Sequence, residues 1–99
     1  MATKELEKVD TIAREQIPMV MFEFYDTLNK IKELSEVLNI FFTKNIADIY
    51  VVLKKDDVEL AENIMERFAQ WEASYKVFPE LHIINQDEKF YIPNGSVAF

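Results

Sequence analysis

Ile17, Met21, Phe24, Leu28, Ile31, Ser35, Leu38 and Phe42 fall at alternating steps of four and three residues, and only Ser35 among them is polar. That is the a/d spacing of a helix offering one apolar stripe to a partner, sustained for roughly three and a half heptads. No Gly or Pro stands between Met19 and Phe42, so the spacing predicts one long helix over about 19–43. At 1.5 Å per residue such a helix is ~37 Å long. A compact domain of this size, with a radius of gyration of ~13 Å, is only ~33 Å across. Val20, Tyr25, Leu34, Val37, Ile40 and Phe41 widen the stripe further. One face of the helix can cover a sheet, and the surplus needs a second cover. Two covers are open: a second copy of the chain, or an N-terminal helix of the same chain folded back at Pro18. The first makes the chain a homodimer through the 17–42 helix, with Met21, Phe24, Leu28, Ile31 and Leu38 as the interaction residues. A competing local reading makes Met19–Tyr25 a strand, since Val, Phe and Tyr favour strands. Asp26 or Thr27 then caps a shorter helix.

Around this segment the chain reads as one α+β domain spanning 1–99. Residues 1–16 form an N-terminal helical arm, with Leu6, Val9, Ile12 and Ala13 at helical spacing. Pro18 breaks or kinks the chain after it. Ile49–Leu53 is a short, continuous, β-branched run, as expected of a strand buried on both faces. Asp56-Asp57-Val58-Glu59 supplies an acidic helix start with a possible capping box. Leu60, Ile64, Phe68, Trp71 and Tyr75 then recur on one helical face, and Pro79 limits the helix. Leu81–Asn85 and Lys89–Ile92 read as two strands of a hairpin around Gln86-Asp87. Pro93–Ser96 is a turn, and Val97–Phe99 either tucks onto the core or forms a short edge strand. The fold expected is therefore N-terminal helix or helices, then a β-α-β-β unit with a parallel crossover, making a small mixed sheet.

The composition closes off several kinds of activity. The chain has no cysteine, so disulfides, thiolate metal sites and cysteine nucleophiles are excluded. Its single glycine rules out glycine-rich phosphate loops. A net charge of −7, with the basic residues scattered, argues against nucleic acid and against anionic membranes. No apolar run approaches the ~18 residues of a membrane-crossing helix, and no signal segment is evident. These features lead to the expectation of a cytoplasmic protein.

No catalytic, cofactor or metal residue stands out. His82 is the only histidine, so multi-histidine metal sites cannot be built, and a base role needs a carboxylate that the sequence does not single out. Asp56, Asp57 and Glu59 are explained by helix capping, and Asp87-Glu88 by a turn. The leading expectation is a non-catalytic protein acting through protein–protein contacts, without a cofactor. The alternative is a small-molecule binder or enzyme with a pocket between helix and sheet, near Tyr50, His82 and Tyr91. Tyr50 and His82 share one sheet face if their strands are neighbours.

Overall fold

The computed structural model describes residues 19–99. The expected arm at 1–16, the break at Pro18 and the first seam position, Ile17, lie outside the described residues. The elements in chain order are α1 (19–32), β1 (Val37–Phe42), β2 (Asp48–Leu53), α2 (Val58–Tyr75), β3 (Glu80–Asn85) and β4 (Val97–Ala98). The fold is α+β, with a four-stranded mixed sheet in the order β3-β2-β1-β4. β2 and β3 run parallel and are joined by α2, the crossover that the strand-helix-strand order implies. β1 lies antiparallel to both β2 and β4.

The long helix expected over 19–43 stops at Lys32, although residues 19–25 are helical and not a strand. A turn over 33–36 follows, in which Leu34 N–H donates to Ile31 O and Val37 N–H to Leu34 O. Val37-Leu-Asn-Ile-Phe-Phe42 then extends as β1. Its β-branched and aromatic residues suit a strand, and in the sheet they gain ladders on both sides. A register shift between Val37 and Asn39 lets Val37, Ile40 and Phe42 all face the core. Of the two seam positions on β1, Phe42 takes a core place, whereas Leu38 falls at the register shift and yields the core to Val37 and Ile40.

The seam is therefore interior. Phe24, Leu28 and Ile31 are fully buried, and Met21 packs against the same core. Leu38 lies half-buried on β1. Phe24 meets Phe42 edge-on, with ring centroids 5.3 Å apart, and lies 5.1 Å from Trp71. Much of the apolar surplus expected of a single helix is taken up, because the second half of the segment belongs to the sheet that the first half covers, while Met19, Phe22 and Tyr25 of α1 remain exposed.

α2 forms as its pattern predicts, with Ile64, Phe68 and Trp71 buried. Asp57 is its N-cap, accepting from Leu60 N–H at 3.0 Å. With the cap at Asp57, Leu60 occupies the third helical position, so Glu59 cannot close a capping box. The helix ends at Lys76, which adopts a left-handed φ of 57° while its N–H bonds Glu72 O.

The hairpin expected after β3 is absent. Asn85 and Glu88 do make a turn, in which the Asn85 main-chain and side-chain N–H groups both donate to the Glu88 carboxylate. Lys89–Ile92, however, forms no strand. Residues 86–96 instead carry the chain from β3, at one edge of the sheet, to β4 at the other. This route brings Phe99 against the core, where it stacks on Tyr25 at 6.0 Å, ring to ring. Its N–H also donates to Ile40 O.

Candidate functional site: the far face and outer edge of the sheet

Alternation along the strands divides the sheet into two faces. Ile40, Phe42, Ile49, Val51 and Leu53 point toward α1 and α2 and make up the core. The register sets Asn39, Val52 and Ile84 in one row of the opposite face, and Phe41, Tyr50 and His82 in the next. A third row pairs Asp48 with Glu80. β3 ends beside Leu53, whereas β4 begins beside Phe42, at the other end of the sheet. The connection 86–96 must therefore cross the sheet diagonally. The charge of Tyr91 is the smallest of the influences that raise the Tyr50 hydroxyl, in keeping with a crossing on this far face. There Val52 is only 2% exposed despite pointing away from both helices.

Tyr50 and His82 are thus brought together, but not in a pocket between helix and sheet. They lie on the side of the sheet that the helices do not touch. Two grooves on the described surface have other linings. One, of about 440 Å³, is bounded by Thr43–Asn45 and Asn94–Ser96. The other, of about 390 Å³, runs between α1 and α2 past Phe22, Asp26, Arg67 and Ser74.

The rings of Tyr50 and His82 are stacked, with centroids 4.5 Å apart and planes 10° from parallel. The His82 Nε2–H donates to Asp48 Oδ1 at 3.1 Å. Asp48 is the carboxylate that the sequence did not single out. It stands 34 residues from His82, and only the parallel register unites them. Asp48 is itself fixed by a turn, since its N–H donates to Thr43 Oγ1 at 3.0 Å and its carbonyl accepts from Thr43 N–H. Glu80 completes the group: one ligand atom from each of Asp48, Glu80 and His82 lies within 4.8 Å of the others. Partial burial, then the charges of Asp48 and Glu80 and the proximity of Tyr91, hold the Tyr50 hydroxyl above its ordinary range. The local field is negative.

The outer edge of β3 adjoins this group. Glu80 N–H donates to Ala47 O and Gln86 N–H to Leu53 O. The even-numbered residues of β3 therefore bond to β2, and Leu81, Ile83 and Asn85 direct their main-chain groups outward. The Asn85 N–H is taken by Glu88. Those of Leu81 and Ile83 have no partner among the described residues. α2 lies above this edge. Its Arg67 and Ser74 line the groove with α1, so helical periodicity sends Val58, Ala61, Met65 and Glu72 to the opposite flank, beside β3. Val58 is 67% exposed and Met65 48%.

Compared with protein-family models, curated proteins and solved structures, the chain matches none. No described helix is long and apolar enough to cross a membrane.

Proposed function

We propose that this protein is a non-catalytic interaction module that forms a homodimer through the outer edge of β3. The observation that carries this reading is the outward-facing main chain of Leu81 and Ile83 on an apolar edge strand. Such an edge is a template for another strand, and proteins that keep it unpaired protect it with Lys, Pro or a bulge. β3, Glu-Leu-His-Ile-Ile-Asn, has none of these. Antiparallel pairing of two copies about Ile83 is self-complementary. Ile83 meets its own copy, His82 meets Ile84, Leu81 meets Asn85, and Glu80 meets Gln86. No like charges are opposed. A six-residue ladder is smaller than the roughly 1,200 Å² of a specific interface. The exposed Val58 and Met65 on the adjoining flank of α2 extend the contact.

Light scattering coupled to size exclusion tests the reading. The expected result is a dimer mass for the full chain. Ile84→Lys charges the edge without entering the helix-side core, and Met65→Glu charges the α2 flank. Each shifts the protein to monomer while far-UV circular dichroism is unchanged. A full chain that is monomeric at every soluble concentration overturns the proposal, as does a dimer indifferent to both substitutions.

A further inference from the structure

We propose that Asp48, Glu80 and His82 form a binding site for a divalent transition-metal ion, with one nitrogen and two carboxylate oxygens as ligands. The argument is geometric first. Ligands held ~2.1 Å from a common zinc-like ion stand about 3–4 Å from one another. Here the His82 and Asp48 atoms are 3.1 Å apart, and all three ligand atoms lie within 4.8 Å. Glu80 is the exposed member, at the start of β3, so small side-chain rotations close the remaining gap.

The strands hold the other two ligands in place. Asp48 is the first residue of β2, anchored from behind by Thr43. The Tyr50 ring, stacked on His82, limits rotation of the imidazole. Support of this kind orients ligands in known metal sites. On binding, the Nε2–H bond to Asp48 is exchanged for coordination. The imidazole proton moves to Nδ1, Nε2 turns its lone pair to the ion, and Asp48 Oδ1 becomes a ligand. The two carboxylates neutralise a dication. Three protein ligands leave further positions for water.

The mixed donor set selects the class of ion. Imidazole nitrogen with carboxylate oxygen suits zinc and its first-row neighbours, whereas magnesium and calcium prefer oxygen alone. Protons compete for both donor types, so affinity falls on acidification. The titratable groups facing the imidazole are Asp48, Glu80 and Tyr50. Glu80 and His82 lie on the strand proposed as the dimer edge, but all three ligands come from one chain, and binding is read on the full chain whatever its mass.

The test is a calorimetric titration of the untagged full chain with zinc chloride, followed in parallel by ¹⁵N NMR of the imidazole. His82 is the only histidine, so its nitrogen resonances report without ambiguity. The expected result is one ion per chain, a displaced His82 Nε2 resonance, and binding tighter than that of magnesium. His82→Gln and Glu80→Gln each weaken zinc binding at least about tenfold, while Glu62→Gln on α2 has no effect. Zinc binding that leaves the His82 resonance in place, or that persists equally in His82→Gln, overturns the proposal in favour of diffuse attraction to an acidic surface. So does magnesium binding that equals or exceeds that of zinc.

Discussion

The indole N–H of Trp71 donates to the main-chain oxygen of Val20 at 3.1 Å, tying α2 to α1 above the shared core. The ring is 4% exposed and contacts Phe24. Trp71→Phe keeps much of the packing and loses the bond, at a cost of about 1 kcal/mol. Trp71→Ala removes the ring as well and costs about 3–5 kcal/mol. Urea denaturation followed by circular dichroism measures both. Equal losses for the two variants mean that the hydrogen bond, and not the packing, joins the helices.

Leu28 and Ile31 separate the helical-interface expectation from the fold. Both are fully buried among β1, β2 and α2 side chains. A carboxylate at either position has no partner to compensate its burial. Leu28→Glu and Ile31→Glu are therefore expected to abolish cooperative folding, since a domain's whole stability is about 5–15 kcal/mol. A folded monomer obtained from either variant returns the seam to the role of an interface.

These same residues show what the sequence makes legible. The periodicity that located α2 is local, with one face of one helix satisfied by one sheet. Ile49–Leu53 is likewise legible, because a central strand needs apolar residues on both sides. At 37–42 the period was misleading. Leu38 and Phe42 match a heptad by number, but in the bulged strand the core-facing residues are Val37, Ile40 and Phe42, and sheet pairing outweighs a weak helix preference. The site follows the same division. Alternation correctly put Tyr50 and His82 on a common face. The addition of Asp48 and Glu80 required the parallel register of β2 and β3, which no local pattern encodes. The edge at β3 was hidden by the hairpin expected at 89–92, whose return strand could have covered it.

The two ends of α2 give opposite predictions. Asp57 accepts from Leu60 N–H, so Asp57→Ala leaves a first-turn donor unmatched and costs about 1 kcal/mol. Lys76 holds φ at 57° on an exposed residue, a conformation that costs a side-chain-bearing residue about 1–2 kcal/mol. Lys76→Gly removes that strain, offset in part by the greater freedom of glycine in the unfolded chain, for a net gain of under about 1 kcal/mol. Thermal denaturation should move the two melting temperatures in opposite directions.

Glu72 lies on the flank of α2 beside β3, and partial burial raises its carboxyl above the ordinary 4.5. Because its folded value exceeds its unfolded value, the native state holds the extra proton. Its contribution is fully present below the ordinary range and is lost as pH rises through the folded value. Glu72→Gln removes that loss, so the variant should exceed the parent in stability at neutral pH and converge with it in acid. Denaturation midpoints at acid and neutral pH check the sign. A variant that is less stable at neutral pH implies that Glu72 has a favourable partner there.

Tyr50 reports the field of the proposed metal site without any metal. Burial raises its hydroxyl above 10.0, and the charges of Asp48 and Glu80 raise it further. Asp48→Asn and Glu80→Gln each withdraw one negative neighbour, so each should move the Tyr50 titration down toward 10.0. The burial contribution remains, and the return is incomplete. Phenolate absorbance, taken as a difference from Tyr50→Phe, isolates this residue from the other three tyrosines. Zinc at the site replaces two uncompensated carboxylates with a neutralised cluster, so it should lower the same titration in the parent chain and have no effect in His82→Gln. A Tyr50 titration unmoved by either carboxylate substitution means that the two side chains turn away from the ring, and that the cluster does not assemble on this face.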